Sequence, residues 1–410
     1  MSPDKTSIRP AQALFPLGLG TALSLMGDAT LYTVLPTHTA EAGITLGGVG
    51  IILGANRAIR VILNGPAGLV YDRSPRRRLF VSALFIGALS TAVYAATRGF
   101  WPLLIGRLLW GLAWSGIWVG GAAIIMDVTT LQDRGRWTGL YQTWFFLGAA
   151  LGAFAGGLLT DRLGYTATMW IGATLTALGG LVASFLLPET RPARSGGEPP
   201  RSPTSPASLA ARRDGPGLRP SRGLWIAASL QGINRFVAAG VLSATMGLLV
   251  QDRVHATGLE LGVATLTGAL AAGRTLFSVA TAPLAGTLSD RLGSRWRVVA
   301  WGLALGAVGM VLVSWNALIA ILLGIALGAM TSGSVQALTI ALTGDLASHA
   351  RRGRAVGLLH TMGDLGSAVG PPVAYALLPG IGLSGVYQLC AGLFVAGLAL
   401  VLWFQRGGDG

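Results

Sequence analysis

Seven aspartate and arginine residues lie well inside stretches of the chain that are otherwise long and apolar. A charged side chain in such a stretch is costly to remove from water, so it usually faces a charged partner or a polar cavity. Groups of this kind can bind and exchange protons or charged solutes. The seven residues are Asp28, Arg57, Arg60, Arg107, Arg235, Arg274 and Asp364.

Asp28 and Arg107 lie at comparable depths of two apolar stretches, so an ion pair between them is geometrically feasible. Protonation of Asp28 would release Arg107, and a cationic solute competing for the carboxylate would do the same. Such exclusive occupancy is the minimal chemistry of proton–solute exchange. The alternative is a static pair that only joins two helices.

Arg57 and Arg60 are three residues apart and therefore share one face of a helix. Asp364 lies at a depth that would allow a pair with them, and Arg274 is an alternative partner. Such a pair could act as a gate, carry a proton or serve structure alone. Arg235 follows Asn234 and has no acid at a matching depth.

Trp110, Trp114 and Trp118 recur at every fourth position and form a stripe on one helix face. Aromatic rings beside Arg107 would suit a large apolar or cationic ligand, although Trp118 could equally face lipid. We find no Walker loop, no His/Cys cluster with metal-ligand spacing and no nucleophile–base arrangement. We therefore expect no enzyme activity, no cofactor and no metal.

The elements that must position these residues are membrane helices. Only 11% of the residues are charged and 52% are hydrophobic, whereas a soluble domain is about 25% charged. The apolar runs do not alternate as the strands of a barrel would, so helices are predicted. The fold class is thus an all-α integral membrane protein with twelve spans, near 12–36, 44–70, 79–97, 101–126, 138–160, 167–187, 223–250, 259–288, 297–315, 316–343, 355–378 and 385–404.

Basic residues alternate between the two sides of these spans. Most of the 30 Lys and Arg residues fall on one side, and the opposite loops hold only Arg98, Arg162 and Arg253. The positive-inside rule then predicts a multi-pass protein of the inner (plasma) membrane with both termini cytoplasmic. Because the arginines lie in short loops and not on one face, we expect no nucleic acid as a partner. We expect a monomer whose partners are a small-molecule substrate, protons and membrane lipid.

An internal repeat divides the chain into two copies of six spans. Residues Gly68, Asp72, Arg73 and Arg77 recur 218 positions later as Gly286, Asp290, Arg291 and Arg295. We predict an N-terminal half over 1–190, a C-terminal half over 223–410, and a flexible linker over 191–222 that is rich in Pro, Ser, Gly and Arg. Paired six-helix halves are typical of alternating-access carriers.

The repeated loop resembles the G-x-L-x-D-R-x-G-R-R loop of the major facilitator superfamily. In the first copy Arg76 also fits the pattern and Pro75 replaces the second glycine, whereas the second copy keeps Gly293. The segment 188–190 after the sixth span is similarly typical, and Arg107 resembles the buried arginine of proton-coupled members. The resemblance implies two halves that rock around a central cavity, with spans 1 and 4 lining it and span 2 facing span 11.

A glycine pattern in the fifth span resembles that of the antiporter branch of this family. Ala153 stands where the branch has proline, and the eleventh span carries a partial mirror of the pattern. The alternative is that glycines four residues apart simply let two helices approach closely. The residues concerned are Gly148, Gly152, Gly156 and Gly157, with Gly366, Gly370 and Pro371 in the second half.

We therefore expect a secondary active transporter that exports amphipathic or cationic small molecules in exchange for protons. The alternatives are proton-coupled uptake or flipping of a lipid-like or anionic solute, which the excess of buried arginines favours, and a receptor or scaffold without transport. The resemblance further implies that Asp72 and Asp290 face helix N-termini of the opposite half, near Ala355 and Thr138. Such contacts would exist only while the cytoplasmic side is shut.

Overall fold

The computed structural model describes residues 8–130, 132–190, 221–254, 261–347 and 352–406. Within these ranges eleven helices are long and apolar enough to cross a membrane, and the last of them bends into two at Gly382. The prediction of an all-α membrane protein with twelve spanning helices is confirmed. The helices are α1 (Pro10–Val34), α2 (Leu46–Arg73), α3 (Arg76–Ala96), α4 (Phe100–Val128), α5 (Arg134–Leu163), α6 (Tyr165–Leu186), α7 (Arg222–Val254), α8 (Val263–Leu292), α9 (Arg295–Ser314), α10 (Leu318–Leu346), and α11 and α12, which precede and follow Gly382 within Arg352–Arg406.

The helices generally extend past the predicted apolar runs. Hydropathy detects the part of a helix that is in contact with lipid, whereas the helix itself continues into water. Helix α5 begins at Arg134 instead of 138, and α11 continues to Gly382, where a φ of 64° turns the chain directly into α12. A left-handed φ of this kind favours glycine, which explains a connection without a polar loop.

We call the two ends of the bundle the terminal face and the distal face. The terminal face holds the start of α1, the end of α12, and the α2–α3 and α8–α9 loops; the distal face is opposite. Most of the predicted linker, namely 191–220, lies outside the described residues. The division of the chain into 1–190 and 223–410 therefore stays a prediction, and below we speak of the first six and the last six helices.

The distal ends of the two helix groups pack closely against each other. A methyl group on Gly54 of α2 would collide with the carbonyl of Ala368 on α11, and one on Gly157 of α5 with the carbonyl of Ala264 on α8. A shared hydrophobic cluster closes the same region. It includes Leu31, Val49, Ile52 and Leu53 from the first group and Ala244, Ala264 and Tyr375 from the second.

Toward the terminal face the two groups separate. The cluster around Phe80 and Trp110 contains residues of the first six helices only, and the small cluster of Leu224, Ala347 and Ala355 contains residues of the last six only. Methyl groups on the α2, α5, α8 and α11 glycines of this region would contact nothing within 4 Å; these are Gly68, Gly139, Gly286 and Gly357. The described bundle is thus shut at the distal face and open at the terminal face.

Candidate functional site

Asp28 of α1 and Arg107 of α4 form an ion pair inside the first six helices. Arg107 Nη1 donates to Asp28 Oδ1 over 2.6 Å. The Arg107 side chain is completely buried, whereas 12% of the Asp28 side chain is exposed. The guanidinium is therefore fixed in the protein, and the carboxylate is the member of the pair that a proton or a solute can reach.

Tyr32 connects this pair to α2. Its ring lies 5.0 Å from the Arg107 guanidinium carbon and 5.8 Å from that of Arg57. Its hydroxyl donates to the Leu53 carbonyl over 2.9 Å, and Asn56 Oδ1 lies 3.3 Å away. Sequence reasoning missed this residue, although Tyr32 lies four positions after Asp28 and hence on the same helix face.

A second ion pair joins α2 to α11, and so connects the two helix groups. Arg60 Nη2 lies 3.3 Å from Asp364 Oδ1, and Asn64 Nδ2 donates to Asp364 Oδ2 over 3.4 Å. Both charged side chains are about nine-tenths buried, with 11% and 10% exposed. Asn64 was also missed, and its position four residues after Arg60 was the available signal.

Arg274, the alternative partner proposed for Asp364, bonds elsewhere. Its guanidinium donates to the Ala238 carbonyl and to Ser243 Oγ, both over 2.7 Å. The segment Phe236–Leu242 of α7 is a π-helical turn. Such a turn disturbs the regular α-helical hydrogen bonds, and Arg274 supplies a donor for one of its carbonyls. Arg274 is thus tied to α7.

Arg57 and Arg235 have no carboxylate within 4.0 Å among the described residues. Arg57 is close enough to Asp28 and Asp364 to interact with both electrostatically. The Arg235 side chain lies beside Gly363 of α11, where Asp364 attracts its charge and Arg57, Arg60 and Arg274 oppose it. The opening between the helix groups therefore carries more positive than negative charge.

Two tryptophans of the stripe are buried inside the first six helices and do not face this opening. Trp110 and Trp114 are 1% and 5% exposed, belong to the core of the first six helices and stack at 6.3 Å. Trp114 also stacks on Trp118, at 6.0 Å. Indoles spaced four apart fill a helix interface as well as they line a ligand site, and here they fill the interface. We therefore leave Trp110 and Trp114 out of the substrate site.

The glycine pattern lies where helix backbones meet. Methyl groups on Gly148 and Gly152 would collide with the backbone of α1 at Ala22 and Met26. The other pattern residues pack in the same way: Gly156 on Thr30, Gly157 on Ala264, Gly366 on Gly232, Gly370 on Gly240, and the Pro371 carbonyl on Gly50. In this conformation their visible effect is close helix approach, as in the alternative reading.

Among the described residues, the loop aspartates have no hydrogen bond or ion pair to the opposite helix group. Asp72 is 74% exposed at its side chain and lies 3.9 Å from Arg76 of the following helix. Arg76 pairs with Asp127 at 3.1 Å. In the second copy Asp290, like its neighbour Arg291, is exposed. The helix contacts expected for a shut terminal face are therefore unmade in this open conformation.

The arginines that follow these aspartates anchor the ends of α3 and α9. Arg77 donates to the Ser184 carbonyl, and the Glu189 carboxylate accepts from the backbone N–H groups of Arg76 and Arg77 over 2.9 and 3.2 Å. In the second copy Arg295 lies 2.8 Å from Asp345, after a turn at Gly293 with φ 63°. Arg73, like Asp72, is exposed. These contacts stay within each helix group.

On the distal face a carboxylate does cross between the groups. Asp161, near the end of α5, accepts from the N–H and the hydroxyl of Thr265, both over 2.6 Å, and from the Ala264 N–H over 3.4 Å. It thereby caps the N-terminus of α8, where a negative charge also meets the positive end of the helix dipole. The sequence patterns gave no sign of this contact.

Comparisons with known proteins now give these observations a context. The family model "Major Facilitator Superfamily" matches residues 17–264 and 224–408. The class C and class E tetracycline resistance proteins of Escherichia coli are 27% and 26% identical to this chain, over 80% and 94% of it and 79% and 93% of their own lengths.

Among solved structures, a bacterial homolog of the human lysosomal transporter Spinster, in an inward-facing and occupied conformation, superposes with a TM-score of 0.78. It is 16% identical to the chain, and the match covers 97% of each protein. At this identity the likeness concerns the fold alone.

Proposed function

Because this chain belongs to the major facilitator superfamily, whose members are membrane transporters and not enzymes, we propose that it exports amphipathic small molecules in exchange for protons. We further propose that it works as a monomer in the inner membrane, with the terminal face in the cytoplasm. The arrangement of basic residues supports this orientation.

The observation that carries the proposal is the Asp28–Arg107 pair. Arg107 is wholly buried, so its charge stays in place whatever occupies the site. The Asp28 side chain is 12% exposed, and a proton and a cationic group of the substrate would compete for its carboxylate. If the two ligands exclude each other, the carrier releases substrate on one side of the membrane when it takes up a proton there. It then returns with the proton, and this exchange is antiport.

Alternating access requires that each face can be shut in turn. Here the distal face is shut, and Asp161 contributes a contact that would break when the distal ends of α5 and α8 separate. Asp72 and Asp290 would make the corresponding contacts at the terminal face in the opposite conformation. The open terminal face would be the state that takes substrate from the cytoplasm.

The relatives supply the first compounds to test. Two of them are named for tetracycline resistance, and we propose that this chain also exports drug-like compounds. Cells that express the chain should accumulate less tetracycline and less ethidium than control cells. An uncoupler that collapses the proton gradient should remove the difference, because the gradient is the proposed energy source.

Asp28→Asn is the decisive variant, since it keeps the size of the side chain and removes the titratable group. We expect export driven by the proton gradient to be lost, and Asp28→Glu to retain part of it. Export that is unchanged in Asp28→Asn, or that persists after the gradient is collapsed, would overturn proton exchange at this residue. Absence of counterflow in liposomes for every compound would favour a receptor or scaffold instead.

A further inference from the structure

The opening between the helix groups holds two arginines that the proposed exchange at Asp28 does not use. Arg57 lies on α2 and Arg235 on α7, so they belong to different helix groups. Both are partly buried, and neither has a carboxylate within 4.0 Å in the described part of the chain. Their positive charges are therefore uncompensated by a direct ion pair.

The other three arginines of this region are already engaged. Arg107 pairs with Asp28 and Arg60 with Asp364, while Arg274 donates to α7. Two acids thus face five arginines. Uncompensated charge at membrane depth is costly and typically marks a ligand or ion pathway. Arg57 and Arg235 flank the Arg60–Asp364 pair, because Arg57 lies one helical turn before Arg60 and the Arg235 side chain packs beside Gly363.

We propose that the substrate carries an anionic group, a carboxylate or a comparable oxyanion, which binds between Arg57 and Arg235. This inference rests on the proposed transport function and adds the charge of the substrate to it. An oxyanion fits guanidinium groups because each can donate two parallel N–H bonds to it. It would also replace the mutual repulsion of the two arginines with attraction to a shared partner.

The position of Tyr32 extends the inference to the rest of the substrate. Its ring lies near the guanidinium groups of both Arg57 and Arg107, and Arg107 holds Asp28. An oxyanion at Arg57 therefore lies close to the carboxylate at which a cationic group would compete with the proton. One molecule with an amine and an oxyanion could satisfy both sites. The substrate class is that of amphipathic zwitterions.

Three probes with one aromatic body separate the charges. They are 3-(1-naphthyl)alanine, a zwitterion; 1-naphthylacetate, an anion; and 1-naphthylmethylammonium, a cation. Binding to the purified full-length protein is measured by calorimetry. We expect the zwitterion to bind tightest. Arg57→Gln and Arg235→Gln should each weaken binding of the zwitterion and of the anion about tenfold, as loss of one charge-assisted hydrogen bond implies. Neither variant should weaken binding of the cation.

Two controls guard this result. Arg297→Gln removes an arginine that is exposed on the terminal face, and it should leave all three affinities unchanged. Arg57→Lys keeps the charge and should restore part of the affinity if the effect is electrostatic. Melting temperatures of all variants show whether the protein is folded, so weak binding by an unfolded variant is not counted.

Three outcomes would overturn the proposal. The first is that the cation binds as tightly as the zwitterion, and the second that both arginine variants bind all probes like the wild type. The third is that sulfate alone displaces the anion at equal concentration, which would indicate a site for inorganic anions. None of these outcomes depends on proton-driven export, which is tested separately through Asp28→Asn.

Discussion

The two helix groups fill equivalent positions with opposite chemistry. At the 218-residue offset of the repeat, Asp28 and Arg107 correspond to Met246 and Ile325. The charged pair of the first group is joined over 2.6 Å, whereas Met246 and Ile325 are buried in the apolar core of the second group. Both solutions fit the same helix arrangement, so the ion pair is not needed to build the bundle.

The contacts between the groups show the same contrast. Arg60 and Asp364 join α2 to α11, and their counterparts on α8 and α5 are Ser278 and Phe146. To features that recur in both copies, such as the loop aspartates and the helix glycines, we therefore assign scaffold and gating roles. Charges that occur in one copy only are the ones we assign to coupling and substrate.

The largest expected effect comes from giving the first group the residues of the second. In Asp28→Met with Arg107→Ile, transport should fall to background while the protein stays folded, since apolar replacement of a buried pair is often neutral or stabilising. Asp28→Ala alone should cost about 3–5 kcal/mol, because it leaves a buried arginine unpaired. Denaturation and flux assays check both; a double variant as unstable as Asp28→Ala would contradict this reading.

A smaller effect is expected at the pair between the groups. Asp364→Asn keeps the hydrogen bond from Asn64 in reach but leaves Arg60 without a counter-charge, so we expect transport to fall about tenfold, as for one lost charge-assisted bond. Transport by Asp364→Glu should fall less. The measurement is initial flux in liposomes, with Ser278→Ala at the uncharged counterpart as control. Equal flux in all three variants would remove Arg60–Asp364 from the mechanism.

The two faces should respond in opposite directions to loss of their carboxylates. Asp161→Ala removes the acceptor that caps α8, so cysteine probes on the distal side should label a few-fold faster, since loss of a capping side chain costs about 0.5–2 kcal/mol. Asp72→Asn should instead raise labelling on the terminal side, because its contact exists only in the other conformation. Labelling that changes in the same direction in both variants would refute opposed gates.

The smallest effect is expected from Pro75. The first loop turns through the extended residues Ser74 and Pro75, and α3 starts at Arg76. The second loop turns at Gly293, and α9 starts at Arg295. At the 218-residue offset, α9 therefore starts one residue later than α3. Arg76 pairs with Asp127, whereas its counterpart at the repeat offset is Ser294 and the second copy uses Arg295 with Asp345. Pro75→Gly should change flux by less than about threefold, as expected for a loop substitution that leaves buried contacts intact.

Much of this could be predicted from sequence because membrane helices leave a strong hydropathy signal and because the repeat doubles every motif. The same logic identified Asp28, Arg107, Arg60 and Asp364 as charges that require an explanation. It missed Tyr32 and Asn64, although each lies four residues after a charge that it did identify, and it had no signal for Asp161, since polar residues near helix ends are common. Nor could it decide whether the tryptophans of α4 face the core or the opening, because their spacing shows only that they lie on the same helix face.

The central claim is that proton and substrate compete for Asp28. The most direct test counts protons released when tetracycline binds the purified protein between about pH 5 and about pH 8, by calorimetry in buffers of different ionisation enthalpy. We expect proton release by the wild type, and binding without release by Asp28→Asn. Binding by the wild type without proton release, or equal release by both proteins, would contradict it.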